Sequence, residues 1–357
     1  MLSDPILSAN VYCSGRLCEV IERLVQPVWQ EIQELPSQEV HLWIMRYARC
    51  GEHLKIRIHG PSSLRPVLRE ILENRQRDYF SSLIAEPVAN RHARGSCPPI
   101  DVEDGAAGEY PDRTFLWTTY RRSYVSFGYQ PYIFDTSYIS LLIHCLAGST
   151  EIVLRNIRVN KHGRFPALLQ KALLLRATTA AISRLFPASQ EKIQYLIYHR
   201  DTLLRAIRNR GRKFFDPAKL KIDRVHDELS KIIAQGSPQG LDAELWQSNG
   251  RQRADMKQWC RWLESLRGYL VRSCQSPGHH IDPFAEDRTF PCIFKALHGF
   301  ANQLGVDPLN EAFVYHLSLS PIAEEQVFVR PIRMRPELPC LEGGYSGTEN
   351  ERRLQRH

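Results

Sequence analysis

Apolar positions in the first third of the chain change period twice. Leu17, Val20, Ile21, Leu24, Val25, Val28, Trp29 and Ile32 recur three and four apart, which gathers them on one face of a helix. Pro36-Ser37 ends that pattern. Residues 40–47 then alternate with a period of two, and so do residues 53–59. The short connection Ala48-Arg49-Cys50-Gly51 predicts that the two strands form a β-hairpin. Successive side chains of a strand point to opposite faces. Leu54, Ile56 and Ile58 are therefore predicted to face a core, with His53, Lys55, Arg57 and His59 on the other side. Four groups able to carry positive charge repel one another unless an anion lies across them or some histidines stay neutral.

Helical spacing returns over residues 66–86, with Val67, Leu68, Ile71, Leu72 and Tyr79 on one side. Residues 88–114 are rich in Gly, Pro, Asp and Arg and predict a loop or inserted excursion. Residues 115–125 alternate again and predict a further strand of the same sheet. Beyond Pro131 the chain reads as helices over 137–147, 167–186, 191–207, 225–233 and 256–271. In the last patterned stretch Ile293, Leu297, Ala301 and Leu304 form an apolar stripe, with His298 and Asn302 one turn apart beside it. Gly305 closes that helix. Asp307-Pro308 supplies the N-cap and first-turn residue of the next, which carries Leu309, Phe313, Val314 and Leu317. From Pro336 the sequence is polar and Gly-rich and predicts a frayed tail. The fold class expected is α+β, an antiparallel sheet in the N-terminal half packed against a mostly helical C-terminal half. A single domain is expected over residues 1–335, followed by the tail 336–357.

Composition narrows the classes of function. With 357 residues, 43% of them hydrophobic, the chain can bury a large core. A net charge of +8, spread along the sequence, favours an acidic partner such as a peptide, RNA or a phosphorylated ligand. The basic run 205–213 reads first as a solvated helix end and second as a grip for such a partner. The basic residues are not interleaved with aromatics as an RNA-stacking platform requires, so nucleic acid is not the expected partner. Nine cysteines without a C-x-x-C pair, and no secretion signal at the start, predict reduced thiols and a cytoplasmic location. No apolar run approaches the roughly 20 residues of a membrane helix. His279-His280 beside Asp282 lies in a Gly/Pro-containing loop without H-E-x-x-H spacing. No Gly-rich nucleotide loop occurs, and neither a metal nor a cofactor is expected.

Three stretches, in order, resemble one family. Leu42-Trp43-Ile44-Met45-Arg46-Tyr47 together with Gly51-Glu52-His53-Leu54-Lys55-Ile56-Arg57-Ile58-His59-Gly60 resembles the opening of the C-terminal, glutamate-elimination domain of class I lantibiotic dehydratases. Residues 120–128 occupy the place of that family's Tyr-x-Pro-Glu-x-x-Arg-Tyr-Gly. Leu297-His298-Gly299-Phe300-Ala301-Asn302-Gln303-Leu304-Gly305 is similar to its Leu-His-Met-x-x-Asn-Arg-Leu-Gly. The resemblance runs over about residues 5–330. It implies maturation of a ribosomally made peptide antibiotic. In full-length dehydratases the domain removes glutamate from glutamylated Ser or Thr. Free-standing relatives do that step in split dehydratases or build the pyridine of thiopeptides. The glutamylation domain that uses glutamyl-tRNA is expected to be absent, so the chain is not expected to charge its own substrate.

The chemistry suits these residue types. Eliminating glutamate requires a base for the Cα proton, cations for the leaving carboxylate, and stabilisation of the enolate. By resemblance Lys55 and Arg57 occupy positions of two family arginines, and His298 that of the catalytic histidine. Lysine offers a point charge where arginine grips a carboxylate bidentately, so Lys55 is a weakened version of its position. Ser123 and Ser126 fall where the family has Glu and Arg, with Arg121 and Arg122 close enough to substitute after a shift of register. Three readings follow. The first is a pyridine synthase joining two dehydroalanines in a formal 4+2 cycloaddition with water loss and leader expulsion. Its catalytic candidates are His298, Arg57, Tyr120 and Tyr124, with Tyr129 beside them. The second is the elimination subunit of a split dehydratase, with Arg57, His298 and a rearranged Arg122 doing the work, which depends on a separate glutamylation subunit. The third is a non-catalytic peptide-binding scaffold. In each, the expected partner is a modified precursor peptide with an acidic leader, met by His53, Lys55, His59, Arg121, Arg122, Ser123, Ser126, Tyr129 and Asn302. The oligomeric state stays open, a homodimer among the options.

Overall fold

The computed structural model describes residues 6–13, 15–36, 39–47, 52–83, 113–119, 136–157, 167–209, 250–274 and 285–323. Strand β1 (Leu7–Tyr12) leads into helix α1 (Leu17–Val20), which continues through a π turn (Ile21–Val25) into α2 (Gln26–Glu34). The hairpin strands β2 (His41–Tyr47) and β3 (His53–His59) follow, then α3 (Arg65–Ser82) and β4 (Thr114–Thr119). The helical half comprises α4 (Thr136–Asn156), α5 (Ala167–Leu185), α6 (Ser189–Asn209), α7 (Gly250–Cys274), α8 (Ala285–Leu304) and α9 (Pro308–Ala323). The architecture is α+β, as the periodicity predicts. Residues 120–125 of the predicted last strand, the predicted helix 225–233 and the tail lie outside the described residues.

The four strands form one antiparallel sheet in the order β2-β3-β1-β4. The sequence reading missed β1, although Leu7-Ser8-Ala9-Asn10-Val11-Tyr12 alternates without a break. Its placement matters because β1 is a central strand, paired on both sides. Leu7, Ala9 and Val11 share a face with Ile58, Ile56 and Leu54 of β3 and with Leu42 and Ile44 of β2. These side chains are buried, and burying each large one contributes about 1.5–3 kcal/mol. Trp117 of β4 lies on the same face, donating from Nε1 to Glu73 Oε1 of α3 at 3.0 Å, with the Arg69 guanidinium over its ring.

The outer edge of β2 would expose unpaired backbone groups, an invitation to unwanted pairing. Two helices close it. Ile44 N–H donates to Thr150 Oγ1 of α4 at 3.3 Å. Arg46 N–H donates to Asn302 Oδ1 of α8 at 2.7 Å, and Asn302 Nδ2 donates back to Arg46 O at 2.9 Å.

Helix α4 corrects one sequence expectation. By length and composition Ser137–Asn156 is apolar enough to cross a membrane, with a mean hydropathy of 1.4 and 67% of its window buried in the fold. His144, Gly148, Ser149, Thr150 and Glu151 interrupt its run of apolar residues, which is why no long run shows in the sequence. It packs as a core helix: Trp259 Nε1 of α7 donates to Cys145 O at 3.1 Å, and Gln303 Nε2 of α8 donates to Leu146 O at 3.1 Å. Arg155 of α4 pairs with Asp255 of α7 at 2.6 Å. Cys13, Cys18, Cys145, Cys260 and Cys292 form no disulfide.

The end of α8 and the start of α9 follow the local signals in the sequence. Gly305 N–H donates to Asn302 O and Val306 N–H to Ala301 O, both at 3.0 Å, closing α8 with Gly305 at φ +80°. Asp307 Oδ1 accepts from Leu309 N–H at 3.1 Å and Asn310 N–H at 3.0 Å, capping α9. A Cβ on Gly305 would lie 2.8 Å from the Arg46 guanidinium, which is itself held by Gln303 O at 3.0 Å. The left-handed backbone and this contact together predict that Gly305→Ala lowers the unfolding free energy by about 1–3 kcal/mol, read from urea unfolding.

Candidate functional site

The cationic strand does not form a solvated face. His53, Lys55 and Arg57 are only 2%, 2% and 6% exposed. Register explains their neighbours: His53 faces Tyr12 and Tyr47, Lys55 faces Asn10 and Met45, and Arg57 faces Ser8 and Trp43. The His53 ring lies 4.6 Å from that of Tyr12 and 5.6 Å from that of Tyr47, and Lys55 Nζ sits 4.2 Å from the Tyr47 ring centre. Such rings attract a cation through their electron-rich faces. The rings that meet these cations come from the two adjacent strands and are engaged within the sheet.

Histidines gather at the other end of this face. His41 of β2 stands opposite His59, their rings 6.3 Å apart, and meets His144 of α4 edge-on at 4.3 Å. His144 stacks on Trp262 of α7 at 4.1 Å. Burial, assisted by His144 and His59, lowers the His41 pKa to about 4, and burial with His59 also lowers that of His144. At neutral pH these two imidazoles are uncharged, so they add no further positive charge beside the row.

Helix α8 carries His298, and its following turn meets the sheet. Asn302, one turn further on, grips the Arg46 backbone with both its donor and its acceptor. The carboxamide expected among the substrate contacts is thus the clamp that fixes α8 against β2. His298 Nδ1 is 2.7 Å from Glu311 Oε2, and the other carboxylate oxygen is 2.9 Å from His199 Nε2 of α6. His199 Nδ1 lies 3.0 Å from the Tyr195 hydroxyl. The side chains of Glu311 and His199 are 0% exposed, whereas that of His298 is 35% exposed.

These contacts fix the protons. Burial works against charge on Glu311, but the His298 charge and the hydrogen bonds from both histidines outweigh it, so its pKa lies below the usual value. Burial lowers the His199 pKa to about 4 despite Glu311, leaving a neutral ring at pH 7. An ionised carboxylate only accepts. His199 therefore donates from Nε2 to Glu311 and accepts the Tyr195 proton at Nδ1, while His298 donates from Nδ1. Neutral His298 then carries its lone pair on Nε2, the arrangement of a general base braced by an acid. Tyr315 stacks on His199 with ring centres 3.6 Å apart, and Phe294 stacks on His298 at 5.4 Å.

Lys295 lies one turn before His298 on α8. Burial, opposed by Cys292, lowers its pKa to about 8, close to what proton transfer near neutrality requires. Sequence reading missed Lys295, Glu311, His199 and Tyr195. Glu311 had a local signal, a carboxylate one turn inside a capped helix thirteen residues after His298. His199 and Tyr195 share a helical face four apart, but nothing local links α6 to α9. Tyr120, Arg121, Arg122, Ser123, Tyr124, Ser126 and Tyr129, together with His279, His280 and Asp282, lie outside the described residues. Among the described residues no cluster of three or more His, Cys, Asp or Glu is arranged to hold a metal ion.

A small antiparallel sheet with a buried cationic strand, clamped to a helix that carries an acid-braced histidine, defines a recognisable class of domain. The family model described as lantibiotic biosynthesis dehydratase C-term matches residues 7–320, and the chain belongs to that family. Among solved structures it is similar to "Pyridine synthase, TbtD, from thiomuracin biosynthesis", at 16% identity and a TM-score of 0.59, covering 90% of this chain and 98% of that one. It is also similar to the tRNA-dependent lantibiotic dehydratase MibB from Microbispora sp. 107891, at 11% identity and a TM-score of 0.53, covering 90% of this chain but 29% of MibB. TsrL matches at 14% identity and a TM-score of 0.50, with 90% and 96% covered. At such identities these structures establish a shared fold. No curated protein matches the chain.

Proposed function

We propose that this chain matures a ribosomally made, post-translationally modified peptide as a pyridine synthase. One dehydroalanine and the amide before it, tautomerised to its iminol, make a 2-azadiene, and a second dehydroalanine adds across its ends. Two carbon–carbon bonds form. Loss of water and then of the leader, as its terminal amide, leaves the aromatic ring. Holding two parts of one peptide together supplies much of the acceleration. What remains is proton transfer, to the iminol and to the departing hydroxyl.

The observation that carries this reading is the 2.7 Å contact between half-exposed His298 and buried Glu311. It offers an acid–base group of fixed tautomer, with Lys295 beside it. The fold match along 98% of a pyridine synthase supports the same reading, as do Ser123 and Ser126 at the places of the elimination pair. A second reading, glutamate elimination in a split dehydratase, is favoured by Lys55 and Arg57 retained at family cation positions.

Mass spectrometry of dehydrated and of glutamylated precursor peptides incubated with the protein separates the two. Pyridine formation with release of a leader amide is expected. Loss of a glutamyl group would replace this reading with the second, and an unchanged mass in both would leave a peptide-binding scaffold. His298→Ala is expected to slow the observed conversion by about 10²–10⁴-fold.

A further inference from the structure

Asn10 stands at the middle of β1, the central strand, on the cationic face. Its register partners are Lys55 on one side and Leu116 on the other. The residue is 0% exposed, and neither its Oδ1 nor its Nδ2 has a hydrogen-bond partner. Its neighbour on the same face behaves differently: Ser8 Oγ accepts from Thr118 Oγ1 at 2.8 Å. A buried carboxamide without partners destabilises a fold, and an apolar side chain of the same size at this position would not. The fold gains nothing visible from Asn10.

We propose that Asn10 is a substrate-binding residue whose carboxamide pairs with a backbone amide of the peptide substrate, an assignment that rests on the peptide-maturing function above. The match is one of hydrogen-bonding pattern. A carboxamide presents a donor and an acceptor side by side, and a peptide amide presents the complementary pair. A carboxylate would satisfy Nδ2 but set its lone pairs against Oδ1. Lys55 and Arg57 lie at adjacent register positions on β3 and suit the anionic groups, leaving the neutral amide to Asn10. An amide held here has its carbonyl next to cations, where negative charge on oxygen is stabilised.

The test uses the full chain and whichever dehydroalanine-bearing peptide the wild-type protein converts in the assay above. Asn10→Leu is expected to keep or raise the thermal midpoint, because a buried polar group without partners is removed. It is expected to raise KM for the peptide by about tenfold to a hundredfold, the value of one or two lost neutral hydrogen bonds. Asn10→Ala, which cannot overpack, should show the same rise in KM. Both variants matching wild type in KM and kcat would overturn the assignment. So would a lowered midpoint in both variants, which would assign Asn10 to the fold through internal water. A wild-type protein that converts neither peptide overturns the functional reading itself and, with it, the occupant named here.

Discussion

Glu311→Gln is expected to lower turnover of the peptide substrate by about 10²–10⁴-fold while the protein still folds. The glutamine has the shape of the residue it replaces, and each of its side-chain atoms remains within reach of a histidine. What disappears is the anion that receives an N–H from both rings at once, at 2.7 Å and 2.9 Å. One ring must then turn or change tautomer, and a charged His298 loses its counterion. The loss should appear in kcat, since both Glu311 oxygens are already taken by histidine rings and neither is left to bind the peptide. The pH profile should shift as well, because the Glu311 charge that interacts with His298 is removed. A variant with wild-type kcat and an unmoved profile would reduce Glu311 to a packing residue. Glu311→Ala is a harsher change. It leaves two imidazoles without their shared acceptor, and breaking a buried pair in this way costs about 3–5 kcal/mol.

Stability should fall steeply on acidification from about pH 6.5 to pH 4. His199 has an unfolded-state pKa near 6.5 and a folded-state pKa of about 4. Between those values the unfolded chain binds more protons, so stability rises with pH across that window. The contribution is fully present above the unfolded value and is lost as pH falls to the folded one. Two and a half pH units correspond to about 3 kcal/mol for His199. His41 adds a change of the same sign over the same range. The lowered Glu311 pKa extends the decline below the ordinary carboxylate range, because that carboxylate must take up a proton the fold resists. Thermal unfolding followed from pH 8 to pH 4 checks the slope. His199→Gln should flatten it, and a midpoint independent of pH in the wild-type protein would show that the ring is not held neutral.

Much of this molecule is legible in its sequence where the signal is local and periodic. The hairpin, the helix through Trp29, the Gly305 stop and the Asp307 cap all follow from spacing and cap chemistry. β1 has an equally clean alternation, but six residues before a helix carry little weight without knowledge that β3 and β4 pair on either side. The charge on β3 was readable and its environment was not. Tyr12 and Tyr47 lie on other strands, and their rings meet His53 and Lys55 only through register. The same limit applied at His298. Its family position identified the histidine, but the carboxylate that orients it and the second ring behind that carboxylate come from two further helices. A buried polar network is assembled by tertiary packing, and no window of one chain segment contains it.

The clamp on β2 also decides how the sheet can grow. A second copy of the chain, or any extended segment, could lengthen the sheet beyond β2 only after the Asn302 amide and the Thr150 hydroxyl let go of the strand. Of the two flanks among the described residues, that one is sealed by side chains, so a self-association built on continued strand pairing would have to begin at β4.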